Sequence, residues 1–240
     1  MTDDDDLSAA ARDEYDRIAE VYEAITQDNL ANAHFERPAI RSLLPSLAGR
    51  RVLDAGCAAG HHSEWLAEQG AVVTAIDLSP RMVALTEERL AGRGEARVHD
   101  LREPLVFLQD GSIDVVVCSL TIHYLDDLGP TLREFRRVLV PAGSLVVSTH
   151  HPFIDWQWFG MAGYYQTGIV EDHWERFGAT LRFRRRTMED IMRAIEESGF
   201  VIRRYREPRP DPEIVASHPP ADPEWVTKPT FLFIEAVPVG

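Results

Sequence analysis

The chain has 240 residues, 45% of them hydrophobic and 9% aromatic, which is enough apolar material for one substantial core in a single domain. A formal charge of -14 works against nonspecific attraction to nucleic acid or anionic membrane. No apolar run approaches the roughly 18 residues of a bilayer-spanning helix, and the start "MTDDDDLSAAARDEYD" is acidic where a signal peptide is basic and then apolar, so a cytoplasmic protein is expected.

In chain order, the acidic run from Asp3 to Asp6 reads as a solvated, disordered tail. Residues 1–46 are otherwise helical, with Tyr15, Ile18 and Tyr22 of "YDRIAEVYEAI" on one face. From residue 50 two hydrophobic periods alternate, the pattern of a parallel sheet wrapped by helices. "RVLDAG" is a strand, "HSEWLAEQG" a helix closed by Gly70, and "AVVTAID" a second strand. "LSPRMVALTEERLAG" is a helix with Ser79 as N-cap and Pro80 at its first position. "ARVHDL" and "SIDVVVCSL" are strands. "GPTLREFRRVLVPAG" places Leu132, Phe135 and Leu139 at helical spacing before Pro141 and Gly143 stop it. "SLVVSTH" is the fifth strand, and Thr187 caps the helix in "TMEDIMRAIEESGF". "FVIRRYRE" and "TFLFIEAV" are strands around a proline-rich loop from Pro208 to Pro229. Cys57 and Cys118 lie in no metal or CxxC spacing and are expected as reduced thiols.

In an open α/β sheet, ligands bind beyond the carboxyl ends of the strands, where Asp54, Asp77, Asp100 and Ser119 fall. Each of the acids has an alternative role as a cap or turn residue. The loop Gly56, Cys57, Ala58, Ala59, Gly60 lets a ligand approach the backbone, and the next helix offers free N–H groups. Asp77 follows about 20 residues later, the usual offset of an acid that accepts ribose hydroxyls. A dinucleotide fingerprint asks for G-x-G-x-x-G where this chain has G-C-A-A-G, and Asp54 suits a cationic ligand better than a pyrophosphate.

Together, "VLDAGCAAG", "AIDLSPRMV", "VHDLREPL", "IDVVVCSLTIHYL" and "TLREFRRVLVPAGSLVVS" resemble, in order and spacing, the successive motifs of the class I S-adenosylmethionine-dependent methyltransferases of the small-molecule, type 11-like kind. The resemblance covers roughly residues 50 to 150 through motifs and the remainder through element order. It implies an α/β, Rossmann-like, seven-stranded, mostly parallel sheet with helices on both faces and the last strand antiparallel. An N-terminal helical cap (1–46), a cofactor-binding core (47–150), an aromatic-rich substrate-lid insert (151–186) and a C-terminal completion of the core (187–240) then make one domain. It also implies S-adenosyl-L-methionine as cofactor and S-adenosyl-L-homocysteine as product. The loop from Gly56 to Gly60 would meet the methionyl part, Asp77 the ribose, Leu78 and Met82 the adenine faces, Asp100 and Leu101 the adenine edge, and the Ser119 backbone the methionyl amine. Tyr22 resembles a tyrosine that closes over the cofactor, core packing being its alternative. Ala58 stands where the family often has glycine, so a strongly positive φ is not expected there.

Methyl transfer needs alignment in a dry pocket, and a base only where the acceptor must lose a proton. His123 and His151 are the candidate bases, because each follows a strand that opens on the crevice; passive lining is their alternative. Tyr15, Tyr124, His150, Trp156, Trp158, Tyr164, Tyr165 and His173 are the candidate acceptor-pocket residues. His61 and His62 point to different helix faces, so no metal site is expected of them, nor any other. The arginines of "RFRRRT" and Arg203, Arg204, Arg206 and Arg209 read as a solvated face, or as one arginine holding an acceptor carboxylate. A small, partly aromatic or apolar acceptor methylated on O or N is the leading expectation, with no nucleic-acid or membrane partner. An RNA or protein methyltransferase, a non-catalytic S-adenosylmethionine-binding protein and an NAD-dependent oxidoreductase are the rivals.

Overall fold

The computed structural model describes residues 6–218 and 223–240. Short, β-branched runs form the parallel strands β1 (Arg51–Ala55), β2 (Val72–Asp77), β3 (Gly94–Val98), β4 (Ile113–Ser119) and β5 (Leu139–His150). A separate hairpin, β6 (Gly168–Trp174) and β7 (Ala179–Arg185), lies outside the sheet. Then β8 (Phe200–Arg206) takes the sheet edge and β9 (Phe231–Pro238) runs antiparallel between β5 and β8, giving the order β3-β2-β1-β4-β5-β9-β8. The seven-stranded sheet with its antiparallel last strand is therefore as expected.

The helices are α1 (Leu7–Thr26), α2 (Arg37–Arg41), α3 (His61–Glu68), α4 (Pro80–Leu90), α5 (Gly129–Val138), α6 (Pro152–Trp158), α7 (Met188–Glu197) and α8 (Pro212–Ser217). A π-helical segment, Leu30–Glu36, leads into α2. Strand side chains alternate between faces, and the core divides accordingly. Leu53, Val116, Leu145 and Ile234 face Leu132 and Phe135 of α5 and Ile191 of α7, whereas Val52, Val115, Val146 and Phe233 face Ile40 and Leu66. None of the helices among the described residues is long and apolar enough to cross a membrane.

Ser79 caps α4 by accepting from the Met82 N–H, and Thr187 with Asp190 forms a reciprocal cap on α7, as their spacing foretold. Three local expectations need correction. Leu139 starts β5, so Pro141 and Gly143 sit in a strand rather than stopping a helix; a register shift opposite Ile113 and Val115 accommodates them. The stretch from Pro208 to Pro229 holds α8 and a 3-10 turn, Pro223–Val226. Asp6 is no tail residue: its carboxylate accepts from the Ala9 N–H at the start of α1 and pairs with Arg102 at 2.7 Å. The rest of that acidic run lies outside the described residues.

Candidate functional site

The strand order reverses between β1 and β4, and a crevice able to hold a ligand opens beyond those strand ends. The loop after β1 is pinned from both sides. Gly56 and Cys57 donate their N–H groups to Ile76, while Thr86 and Arg89 of α4 donate to the carbonyls of Ala58 and Ala59. Gly56 has φ of +80°, and a Cβ there would collide with Thr121. Ala58 departs from expectation, with φ of +46°. Its cost of about 1–2 kcal/mol is offset by the bond from its N–H to Asp77 Oδ2 at 2.9 Å, which the left-handed backbone aims.

Asp77 thus ends β2 with Oδ2 bound to Ala58 and Oδ1 accepting from the Ser79 N–H. Burial pushes its carboxyl up to about 6, against those backbone donors. Asp100 sits beyond β3, gripped by Arg102, which also holds Asp6; burial opposes the Asp100 charge, but the Arg102 bonds outweigh it and keep its pKa low. Asp16 of α1 accepts from the Ser79 hydroxyl and the Arg81 N–H, so α1 is latched across the start of α4.

The inner cavity built this way is lined by Tyr15, Tyr22, Gly56, Cys57, Ala58, Asp77, Leu78, Met82, Asp100, Leu101, Ser119 and Tyr124, all singled out from sequence. Two others are not on its wall. Asp54 lies fully buried beneath the loop, accepting from Ser63 at 2.5 Å, because the pleat turns its side chain inward rather than toward the crevice. Gly60 forms the N-cap of α3, where a Cβ would meet Thr86 at 2.8 Å. Cys57 and Cys118 are free and buried, and desolvation pushes both thiols up, so they remain protonated.

Sequence reasoning missed the acid and base that complete the cavity, Glu36 and Arg37, which the π-helical segment and α2 carry in from the N-terminal region. Glu36 is 1% exposed, accepts from the hydroxyls of Ser119 (2.8 Å) and Ser148 (2.6 Å), and pairs with His62 at 3.2 Å. Burial raises its pKa, but His62 and the two hydroxyls outweigh that and hold it ionised. Arg37 donates to the Thr26 carbonyl at 2.6 Å, and no carboxylate pairs with it among the described residues. An adjacent Glu-Arg pair in "NAHFERPAI" carries no periodic signal that would have found it.

An outer cavity adjoins the first through shared walls: Tyr15, Tyr22, Asn32, Leu120 and Tyr124 line both. Tyr15 and Tyr124 join hydroxyls at 2.9 Å, and Tyr22 stacks on Trp174 with rings 13° from parallel. The β6–β7 hairpin supplies Asp172, His173, Trp174 and Phe177, the turn after α6 supplies Phe159, and the chain leading into β9 supplies Trp225, Thr230 and the first β9 residue, Phe231. His123, His150, Trp158 and His173, all picked out from sequence, line this cavity. The Thr230 hydroxyl is buried there with no partner among the described residues.

His123 and His150 stack at 4.4 Å, and Asp155 lies 3.5 Å from Nδ1 of His150. Burial and the neighbouring His150 charge push His123 well down, whereas burial of His150 is outweighed by Asp155, which raises it. His151 lines neither cavity. Its Nδ1 accepts from the Phe153 N–H as the N-cap of α6 and its Nε2 bonds Glu207 at 2.6 Å, because successive side chains of an extended chain point opposite ways. Trp156 bonds the Met161 carbonyl, Tyr164 accepts from the Met188 N–H, and Tyr165 is 84% exposed, so these three expected pocket residues also stand outside.

The "RFRRRT" arginines are structural. Arg185 is fully buried between the carbonyls of Gln166 and Pro152, with its guanidinium over Tyr164, while Arg184 pairs with Asp126 and Arg186 reaches the Asp126 carbonyl. Arg203 and Arg204 pair with Glu235.

The family description of a methyltransferase domain matches residues 53–147. A solved S-adenosylmethionine-dependent methyltransferase from Mesorhizobium loti is 30% identical, with a TM-score of 0.67 over 84% of this chain and 97% of that one. A ubiquinone biosynthesis O-methyltransferase from Xanthomonas oryzae pv. oryzae is 42% identical over 107 residues, 43% of this chain and 44% of the relative. A malonyl-[acyl-carrier protein] O-methyltransferase from Pectobacterium atrosepticum is 32% identical over 137 residues, 56% of this chain and 48% of the relative. The chain spans about half the length of the curated relatives it matches. Fold, crevice and likeness define a class I Rossmann-type methyltransferase. This chain belongs to the S-adenosylmethionine-dependent methyltransferase family, whose cofactor is S-adenosyl-L-methionine.

Proposed function

We propose that the chain transfers a methyl group to an O or N of a small, partly aromatic acceptor held in the outer cavity. The observation that carries this reading is the pair of adjoining cavities, one polar at its inner end and one aromatic, meeting at the wall of Tyr15, Tyr22, Asn32, Leu120 and Tyr124. S-adenosylmethionine supplies an electrophilic methyl carbon on a sulfonium, displaced in line by the acceptor as the C–S electron pair stays on sulfur.

The inner cavity suits that cofactor on its own chemistry. Glu36 and Arg37 offer a carboxylate and a guanidinium side by side, complementary to the ammonium and carboxylate of an amino acid. The cradle from Gly56 to Gly60 has no room for side chains at its two glycines, and Asp77 retains acceptor capacity for ribose hydroxyls. Leu78 and Met82 would flank adenine, Asp100 and Leu101 would meet its edge, and Ser119 would offer its backbone to the amine. The described part of residues 1–46 together with residues 151–186 forms the lid, since α1 supplies Tyr15 and Tyr22 of the shared wall and the β6–β7 hairpin packs Trp174 against them.

For the proton, His150 is better placed than either candidate picked from sequence. His151 is committed as a cap and His123 is held neutral and weakly basic, whereas Asp155 keeps His150 basic at the outer cavity. His150 takes the proton of a hydroxyl or amine as the acceptor's lone pair bonds to the methyl carbon. The names of the two O-methyltransferase relatives support oxygen as the receiving atom. Incubation with methyl-labelled cofactor and pooled small metabolites should label a low-molecular-weight product. Cofactor binding without any labelled product would favour a non-catalytic binding protein; labelled RNA or protein with a steep salt dependence would favour a macromolecular acceptor.

A further inference from the structure

Asp28, His34 and His218 bring a carboxylate oxygen and two imidazole nitrogens within 4.8 Å of one another on the surface of the lid. Asp28 precedes the π-helical segment and His34 lies within it, the two joined at 2.6 Å through His34 Nε2, while His218 follows α8. The two imidazole rings face each other with centroids 4.5 Å apart. We propose that these three side chains form a binding site for a divalent transition ion of the zinc type, clasping the N-terminal lid to the C-terminal segment.

The donor set fits that ion class. Two imidazoles and one carboxylate, leaving a fourth position to water, match the ligands of zinc better than the all-oxygen shells of calcium or magnesium. His218 is already oriented as a ligand: its Nδ1 lies 2.8 Å from the Ile214 carbonyl, which fixes the proton on Nδ1 and leaves Nε2 as the lone-pair donor. The direct His34–Asp28 bond is the contact an ion would replace: at 2.6 Å the two atoms are closer than the roughly 3.3 Å between neighbouring ligands of a tetrahedral zinc ion, and they would part by less than about 1 Å to admit it. The spacing argument that dismissed His61 and His62 does not reach this cluster, because its members come from two regions some 180 residues apart that only the fold unites.

The position gives the site a consequence. Asn29, Ala31 and Asn32, between the two N-terminal ligands, and Trp225 and Thr230, beyond His218, all line the outer cavity. An ion held here would therefore tie both rims of the acceptor chamber together and leave the cofactor cradle untouched.

The test is calorimetric titration of the untagged full chain with zinc, with melting followed in parallel, on wild type and on His34→Ala, His218→Ala and Asp28→Asn. Wild type should bind one ion per chain and melt at a higher temperature in its presence. Each histidine variant should lose more than about tenfold in zinc affinity, the loss that removal of outer partners alone produces. S-adenosylhomocysteine binding, measured on the same samples, should be unchanged and reports that the variants are folded. Absence of saturable zinc binding by wild type, or one-to-one binding that survives in both histidine variants, would overturn the proposal.

Discussion

The two cavities differ in how they are built. The inner one is walled mainly by strand ends and the turns that follow them, at fixed offsets from a hydrophobic pattern, so its residues fall at readable places. The outer one shares the ends of β4 and β5 but is completed by α1, the π-helical segment, the β6–β7 hairpin, the turn after α6 and the stretch from Trp225 to Phe231, pieces that meet only in three dimensions. A sheet scaffold therefore dictates the inner cavity, while the outer cavity depends on which loop side chains converge.

Variants that strike one cavity and spare the other test this division. The largest effect belongs to His150→Gln. If it is the base, kcat should fall by about 10²–10⁴-fold with cofactor affinity unchanged. Because the base works only when neutral and Asp155 raises its pKa, activity should climb with pH above the ordinary histidine range. Asp155→Asn should move that limb to lower pH; an unmoved limb would remove His150 from the role. Asp77→Ala comes next, removing the acceptor for two backbone N–H groups and the proposed ribose contact. S-adenosylhomocysteine affinity should drop about 100-fold by calorimetry, the equivalent of one or two charge-assisted hydrogen bonds.

A gentler probe of the same residue is pH. With a carboxyl pKa of about 6, Asp77 is ionised above that value and neutral below it. Cofactor affinity should thus hold at neutral pH and weaken by about tenfold at pH 5; a flat profile would exclude the carboxylate from binding. Smallest is Trp174→Ala, which removes the ring stacked on Tyr22. It should raise KM for the acceptor about tenfold or less, with S-adenosylhomocysteine affinity nearly unchanged. A cofactor loss as large as that of Asp77→Ala would dissolve the distinction between the two cavities.

Legibility tracked chain separation. Ser79, Thr187, Asp77 and Ser119 were readable because caps and strand ends are local events. Leu139 was misread because its spacing from Phe135 continues a helical face, yet the following Val140 and the parallel pairing to Ile113 draw it into β5. Ala58 was misjudged because the local preference against positive φ is weaker than the bond it makes to Asp77 across the crevice. His151 was picked from sequence as a candidate base and its neighbour His150 only as a pocket residue, and the alternation of an extended chain sends His150 to the cavity and His151 to cap α6.

The amino-acid sequence by itself determined the alternating α/β order, the strand-end acids and the small-residue loop, because hydrophobic period, caps and turns are short-range properties. Tertiary structure alone decided that Glu36 and Arg37 enter the inner cavity, that His150 rather than His151 faces the outer cavity, and that Asp28 and His34 meet His218. Such meetings depend on the docking of distant segments, whose contact energies leave no period along the chain.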